Sequence, residues 1–156
     1  MAVYDEIGRT YARTRRADPR IAARIVAALG GAASVLSVGA GSGNYEPTDR
    51  RVIALEPSMT VIRQRPAGAA VVVQGVAGDL PFVDRSFDVA MGTLTLHHWP
   101  DLGAGPAEVR RVRVLELVVR AANVKPVEVG VVEADERVEH SLHDRAGLSP
   151  HERCRR

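Results

Sequence analysis

The chain has 156 residues, of which 46% are hydrophobic and 26% charged, a composition typical of one globular domain with its own core. Its formal net charge of +2 calls for neither a membrane nor a nucleic-acid partner. The single cysteine, Cys154, excludes an internal disulfide and is typical of a reducing compartment. No stretch resembles a signal peptide or a membrane-spanning helix, so we expect a cytoplasmic protein.

Two helices are expected before the first strand. Tyr4, Ile7 and Tyr11 would share one face of a helix within residues 2–16. We favour packing of this helix on the domain over the alternative of a lid that covers a ligand. The second helix should start at Asp18-Pro19, a capping residue followed by proline at the first helical position, and should end at Gly30-Gly31.

Four apolar runs predict buried parallel strands, within residues 35–38, 52–55, 71–74 and 89–92. Residues 44–50 alone separate Gly43 from the second strand, so that crossover should contain one helical turn or none. Ser58 should cap a short helix that ends before Pro66.

The last third of the chain is less regular. We expect a helix within residues 101–112, with Pro106 either as its first residue or at a kink. Residues 127–132 are consistent with one more strand, and the charged segment 133–156 with a poorly ordered tail or a loose helix. The predicted domain is therefore 1–132, followed by the tail 133–156.

A glycine loop follows the first strand and an acid ends the second. Gly39, Gly41 and Gly43 have the spacing G-x-G-x-G, and Glu56 lies 17 residues after Gly39. A glycine loop followed about 20 residues later by an acid is typical of nucleoside binding, in which the carboxylate accepts hydrogen bonds from ribose hydroxyls. The dinucleotide fingerprint is G-x-G-x-x-G, so another nucleoside ligand is favoured. Ligands bind at the carboxyl ends of parallel strands, which predicts one shared pocket there.

These motifs in this order resemble the class I S-adenosylmethionine-dependent methyltransferases of the small-molecule type called methyltransferase type 11. The resemblance covers about residues 4–112 and rests on the VGAGSG loop at 38–43, LEPS at 55–58, the loop 77–82, SFD at 86–88 and LHHW at 96–99. It implies an α/β, Rossmann-like, open and mostly parallel sheet with flanking helices, incomplete at its C-terminal end. The cofactor would be S-adenosylmethionine, and the partner a small-molecule methyl acceptor.

The resemblance also implies which residues contact the cofactor. Its methionine portion would be contacted by Gly39, Ala40, Gly41, Thr93 and Leu94, with Gly43 in the same loop; its ribose by Glu56; and its adenine by Pro57, Ser58, Val76, Ala77 and Asp79.

Two positions depart from the family pattern. Ser37 stands where an acid usually contacts the ammonium group of the cofactor, and Val76 stands where an acid often follows the third strand. A hydroxyl is a weaker partner for an ammonium group than a carboxylate is. Both departures should weaken cofactor binding unless Glu46 or Asp79 compensates, and Glu46 is the better placed of the two. Past Arg113 the resemblance fades, so we expect a chain truncated or altered after about residue 113.

His97 and His98 are the candidate catalytic residues, since a histidine can act as general base toward an acceptor. The simpler interpretation is that they pack and anchor the loop beside Trp99. Two adjacent histidines without a third ligand do not indicate a metal site. Two functions remain as alternatives to methyl transfer: a catalytically inactive cofactor-binding remnant or interaction module, and a nicotinamide-binding oxidoreductase.

Overall fold

A six-stranded sheet organises the part of the chain that the computed structural model describes, residues 16–99, 101, 103–119 and 129–130. Its strands are β1 (Ser34–Val38), β2 (Arg51–Glu56), β3 (Val71–Gln74), β4 (Phe87–Thr93), β5 (Arg113–Val119) and β6 (Val129–Gly130). They lie in the order β3-β2-β1-β4-β5-β6, with β1 to β5 parallel and β6 antiparallel to β5. The α/β, Rossmann-like fold class predicted from the sequence is confirmed. The expected helix within 2–16 and the tail 133–156 lie outside the described residues.

Two helices start at the caps that the sequence predicts. In α1 (Pro19–Leu29), the Asp18 carboxylate accepts a hydrogen bond from the Arg20 N–H at 2.9 Å, and Gly30 ends the helix with a φ of 52°. In α2 (Met59–Ile62), the Ser58 hydroxyl accepts from the Val61 N–H at 3.3 Å. The Asp18 side chain thus satisfies an N–H of the first helical turn, whereas the Val61 N–H is shared between the Ser58 hydroxyl and the Ser58 carbonyl, the latter at 3.1 Å.

The connection between β1 and β2 contains turns and bends but no helix, as the short spacing predicts. The N–H groups of Gly39 and Ala40 both donate to the Leu55 carbonyl, at 2.8 and 3.0 Å. The chain therefore leaves β1 while still bonded to β2. This keeps the glycine loop directly beside the carboxyl end of β2.

Each face of the sheet has its own apolar core, because successive strand residues point to opposite faces. Val35 packs with Ile25 and Leu29 of α1, whereas its neighbour Leu36 packs with the residues of the other cluster. That second cluster is covered by Val109 and Val112 of the last helix, α3 (Ala104–Val112). Within the described residues, we find no helix long and apolar enough to cross a lipid bilayer.

Pro106 is the third residue of α3, so the expectation that it would be the first residue is wrong by two positions. The reason is that Asp101 begins the turn earlier: its carboxylate accepts from the N–H groups of Gly103 and Ala104, at 2.7 and 2.9 Å. The first four N–H groups of a helix have no intrahelical partner, so a proline at the third position loses no helical hydrogen bond. A kink is therefore not needed to accommodate it. Past α3 the chain enters β5 directly at Arg113.

Asp88 ties the beginning of β4 to the beginning of β1. Its carboxylate accepts from the N–H groups of Ala33 and Ser34, at 2.9 and 2.8 Å, and the Ser34 hydroxyl accepts from the Asp88 N–H at 3.0 Å. The hydrogen bonds from Ser34 and Ala33 lower the pKa of Asp88. Asp88 lies at the amino ends of the strands and therefore positions the sheet rather than a ligand.

Candidate functional site

A cavity of about 620 Å³ lies where the carboxyl ends of β1, β2 and β4 meet. This is the edge at which an open parallel sheet binds ligands. The glycine loop, the end of β2 and the segment after β4 supply most of its wall. Its lining residues are Arg16, Ser37, Gly39, Ala40, Gly41, Ser42, Asn44, Tyr45, Glu46, Glu56, Pro57, Val61, Thr93, Leu94, Thr95, His97 and His98.

The backbone conformation of the glycine loop requires glycine at three positions. Gly39, Gly41 and Gly43 have φ values of 66°, 57° and 87°, in the region where other L-residues are strained. At Gly39 space is also short, because a Cβ there would overlap the side chain of Thr95. The loop can therefore run close under the cavity without side chains filling it.

Glu56 is the buried acid of the site, with an exposed fraction of 5%. One carboxylate oxygen, Oε2, accepts from the Gly41 N–H at 2.9 Å, and Oε1 accepts from the Ser58 N–H at 3.0 Å. The carboxylate thus links the glycine loop to the start of α2. It lines the cavity at the end of β2, as the strand–loop–strand–acid pattern predicts.

Glu46 also lines the cavity, but its carboxylate already has a cationic partner. Arg65 Nη2 donates to both Glu46 carboxylate oxygens at 2.7 Å, and the Ala70 N–H donates to Oε2 at 3.2 Å. The side chains of Arg65 and Glu46 are only 5% and 7% exposed. Compensation for Ser37 by a free Glu46 carboxylate is therefore not available in this arrangement.

Five residues assigned to the cofactor by resemblance are not among those that line the cavity: Gly43, Ser58, Val76, Ala77 and Asp79. Ala77 is buried in the core cluster beneath α3. Val76 and Asp79 are exposed and pair with each other across a tight turn, in which the Asp79 N–H donates to the Val76 carbonyl at 3.2 Å. In this arrangement the Asp79 carboxylate, like that of Glu46, is therefore not available to replace the acid that is absent at Ser37.

A charged pair on α3 holds the loop that contains Val76 to Asp79. Glu108 accepts from the Leu80 N–H at 2.9 Å, while Arg111 donates to the carbonyls of Leu80 and Phe82 at 2.9 and 2.7 Å. Arg111 also donates to Glu108, and this contact, together with the Leu80 N–H, lowers the pKa of Glu108 to about 2. The loop geometry therefore depends on the ionised form of Glu108.

The segment after β4 brings both candidate histidines to the cavity. Leu94 has a φ of 58°, which turns the chain sharply, and residues Leu96–His98 form a short 3₁₀ helix. Both histidines are exposed, and their ring centroids lie 3.8 Å apart. Trp99 anchors this segment, because its indole N–H donates to the buried Thr95 hydroxyl at 3.3 Å.

Several residues at or near the cavity carry no local sequence signal. The Tyr45 hydroxyl accepts from the Asp18 N–H at 3.1 Å and so fixes the start of α1 against the glycine loop. Arg16 is an exposed cation on the cavity wall, whereas Arg65 lies behind the loop and contacts Gly41 and Glu46. The positions and hydrogen-bond partners of these three residues depend on contacts between distant parts of the sequence, so no local motif predicts them. Ser42 and Thr95 carry a weak signal for a place at the cavity, since both are polar residues that follow predicted strand ends.

Comparison with known families gives a match over most of this site. A sequence profile described as a methyltransferase domain matches residues 36–114, half of the 156-residue chain. The matched span contains every residue that lines the cavity except Arg16.

The chain is also similar to individual proteins. YafE, an uncharacterized protein of Escherichia coli K12, is 46% identical over 39 residues, which are 25% of this chain and 19% of YafE. A candidate methyltransferase from an antibiotic biosynthesis pathway of Anabaena variabilis is 26% identical with a TM-score of 0.61, over 68% of this chain and 47% of that one. A methyltransferase of Aquifex aeolicus dependent on S-adenosylmethionine shares the fold, at 17% identity and a TM-score of 0.62, over 86% of both chains. This chain therefore spans about half the length of the Anabaena protein.

Proposed function

This chain belongs to the methyltransferase domain family, within the class I methyltransferases, and on that premise we propose that its cavity binds S-adenosylmethionine for methyl transfer to a small-molecule acceptor. The observation that carries the proposal is the position of Glu56. Its buried carboxylate lines the cavity at the end of β2 and is hydrogen-bonded to a glycine loop of positive φ. A carboxylate in that position is suited to accept hydrogen bonds from the two ribose hydroxyls of a nucleoside.

The polar atoms of the cavity fit the cofactor. The hydroxyls of Ser42 and Thr93 are buried and have no hydrogen-bond partner in the described part of the chain. Both residues line the cavity. A buried hydroxyl without a partner costs free energy, and the amino and carboxylate groups of the cofactor's methionine portion would supply partners.

We assign the remaining contacts according to the family pattern. Gly39, Ala40 and Gly41, with Leu94 opposite, would enclose the methionine portion. Pro57 and Ser58 would flank the adenine. By the same pattern, the backbone of Ala77, beside Val76 and Asp79, would meet the adenine edge. Ser37 would be a neutral partner for the ammonium group, which predicts weaker binding than an acid at that position would give.

When bound, S-adenosylmethionine supplies an activated methyl group, so the protein's task is to align the acceptor. His97 and His98 lie on the cavity wall with exposed rings. We assign to one of them the removal of a proton from the acceptor. Trp99 holds the segment in place through Thr95 and takes no part in the proton transfer.

Two measurements test the proposal. Isothermal titration with S-adenosylmethionine and S-adenosylhomocysteine should detect binding, and reduced nicotinamide dinucleotide should give no signal at the same concentration. Transfer of a labelled methyl group should then be measured against a panel of phenols, carboxylic acids and amines. Binding together with turnover of any acceptor supports the proposal. Failure to bind S-adenosylhomocysteine at millimolar concentration contradicts it.

The same measurements separate the alternatives. Binding without turnover of any acceptor would favour the inactive cofactor-binding module. The nicotinamide-binding oxidoreductase has no support from the family match, and a nicotinamide signal would be needed to restore it.

A further inference from the structure

Arg65 connects the buried glycine loop to two other segments. Its Nη1 donates to the Gly41 carbonyl at 2.9 Å, and its Nη2 donates to the Glu46 carboxylate at 2.7 Å and to the Ala70 carbonyl at 3.1 Å. Its side chain is 5% exposed and is not among the groups that line the cavity. Arg65 therefore reaches the site only through the residues that it holds.

The peptide groups on either side of Gly41 are held from opposite directions. The Gly41 N–H donates to Glu56 at 2.9 Å, while the Gly41 carbonyl accepts from Arg65 at 2.9 Å. Glycine itself offers little torsional resistance, so these two hydrogen bonds restrain the peptide groups on either side of Gly41. The Glu56 carboxylate and the Arg65 guanidinium are thus linked through Gly41.

We propose that Arg65 is a positioning residue of the cofactor site, which sets the orientation of Glu56 through Gly41 and is itself held by Glu46. This inference rests on the proposed function, since Glu56 is the residue that would bind the cofactor ribose. It also gives Glu46 a role different from the one expected from its sequence position: Glu46 neutralises the buried guanidinium and is not a ligand of the cofactor.

Arginine suits this role, and lysine does not. A planar guanidinium donates in several fixed directions at once, so it can serve the Gly41 carbonyl and the Glu46 carboxylate from different nitrogens. A lysine ammonium is one compact donor and would have to leave one of the two acceptors. Arg65→Lys should therefore keep the charge pair with Glu46 and lose the bond to Gly41.

Arg50 provides a matched control at the other end of β2. Its Nη1 donates to the carbonyls of Gly30 and Ala32 at 3.1 and 3.0 Å, and its side chain is 11% exposed. Arg50→Lys removes the same kind of guanidinium-to-carbonyl contact. It leaves the glycine loop and Glu56 untouched.

The test compares Arg65→Lys with Arg50→Lys in the full chain, by hydrogen exchange of the Gly41 amide and by titration with S-adenosylhomocysteine. For Arg65→Lys we expect exchange at Gly41 to be faster by about tenfold and affinity to be lower by about tenfold, the loss of one charge-assisted hydrogen bond. Arg50→Lys should change neither quantity. Equal exchange and equal affinity in the two variants would overturn the inference.

A second variant covers the case in which Arg65→Lys does not fold. Glu46→Gln combined with Arg65→Met removes both charges and leaves no buried charge unpaired. It should show the same faster exchange at Gly41, and exchange as slow as that of the unaltered protein would overturn the inference. If the unaltered protein binds no S-adenosylhomocysteine, the proposed function fails, whereas the exchange comparison still decides whether Arg65 positions Gly41.

Discussion

Replacement of Gly39 by alanine tests whether the glycine loop is fixed by sterics. Gly39 has a φ of 66°, and a Cβ there would overlap the side chain of Thr95. Two costs should add. An L-residue at positive φ costs about 1–2 kcal/mol, and forcing an extra methyl group into a packed site costs about 1–3 kcal/mol more. We therefore expect Gly39→Ala to lower the free energy of unfolding by about 2–5 kcal/mol.

Gly68→Ala separates the two costs. Gly68 has a φ of 88°, and a Cβ there meets no atom within 4 Å. Gly68→Ala should therefore lower the free energy of unfolding only by the cost of positive φ, about 1–2 kcal/mol. Urea unfolding followed by circular dichroism gives both values from the midpoint and the slope.

Replacing Thr95 relieves part of the overlap. Thr95→Ala removes the hydroxyl oxygen, which a new Cβ would meet first, and the methyl group, but it keeps the Thr95 Cβ, which would lie 2.8 Å from the new Cβ. Thr95→Ala combined with Gly39→Ala should therefore be more stable than the sum of the two single changes implies, without recovering the whole loss. If Gly39→Ala costs no more than Gly68→Ala, or if the double variant shows no coupling, the steric account of the loop is refuted.

Three further changes test other parts of the structure. Glu108→Gln should lower stability at pH 7 by about 1–2 kcal/mol, reduced by partial exposure to solvent. Because Arg111 and a backbone N–H lower the pKa of Glu108 to about 2, its contribution is complete above its ordinary value of 4.5 and is lost as the pH falls from there towards 2. The difference in urea midpoint between the two proteins should therefore shrink from pH 7 to pH 3, and a constant difference would contradict this. Asp88→Asn should lower the thermal midpoint without changing the affinity for S-adenosylhomocysteine, and a change in affinity would contradict its purely structural role. His97→Ala and His98→Ala should both keep that affinity within about threefold, while one of them lowers the turnover of an accepted substrate by about a hundredfold or more; unchanged turnover in both would exclude a general base at this position.

Much of the fold could be predicted because its signals are local. Asp18 and Ser58 each bond to an N–H two or three residues away, and a cap of that kind is visible in any sequence. The connection between β1 and β2 contains no helix because too few residues lie between Gly43 and β2 to form one. In α3, which lies within the expected range of 101–112, Pro106 is the third residue and not the first, because the Asp101 carboxylate accepts from the Ala104 N–H and starts the turn earlier.

The site was predicted less completely, because its geometry depends on partners distant in the sequence. Glu46 was expected to face a ligand, but its partner Arg65 lies 19 residues away, and no spacing rule links the two. The positive φ of Leu94 also has no sequence signal, since leucine rarely adopts it. Glu56 lines the cavity because the end of a buried strand determines where the next side chain lies.

The measurement that tests the central claim most directly is the affinity of S-adenosylhomocysteine for the unaltered protein and for Glu56→Gln. The substitution preserves shape but replaces one accepting oxygen with an amide nitrogen that cannot accept from a ribose hydroxyl. Loss of hydrogen bonds to a charged group should weaken binding by about 1.5–3 kcal/mol, or about 10-fold to 150-fold. Asp88→Asn, at the amino ends of the strands and away from the cavity, should bind as the unaltered protein does. Equal affinity for the unaltered protein and Glu56→Gln would contradict the claim that this cavity holds the ribose of S-adenosylmethionine.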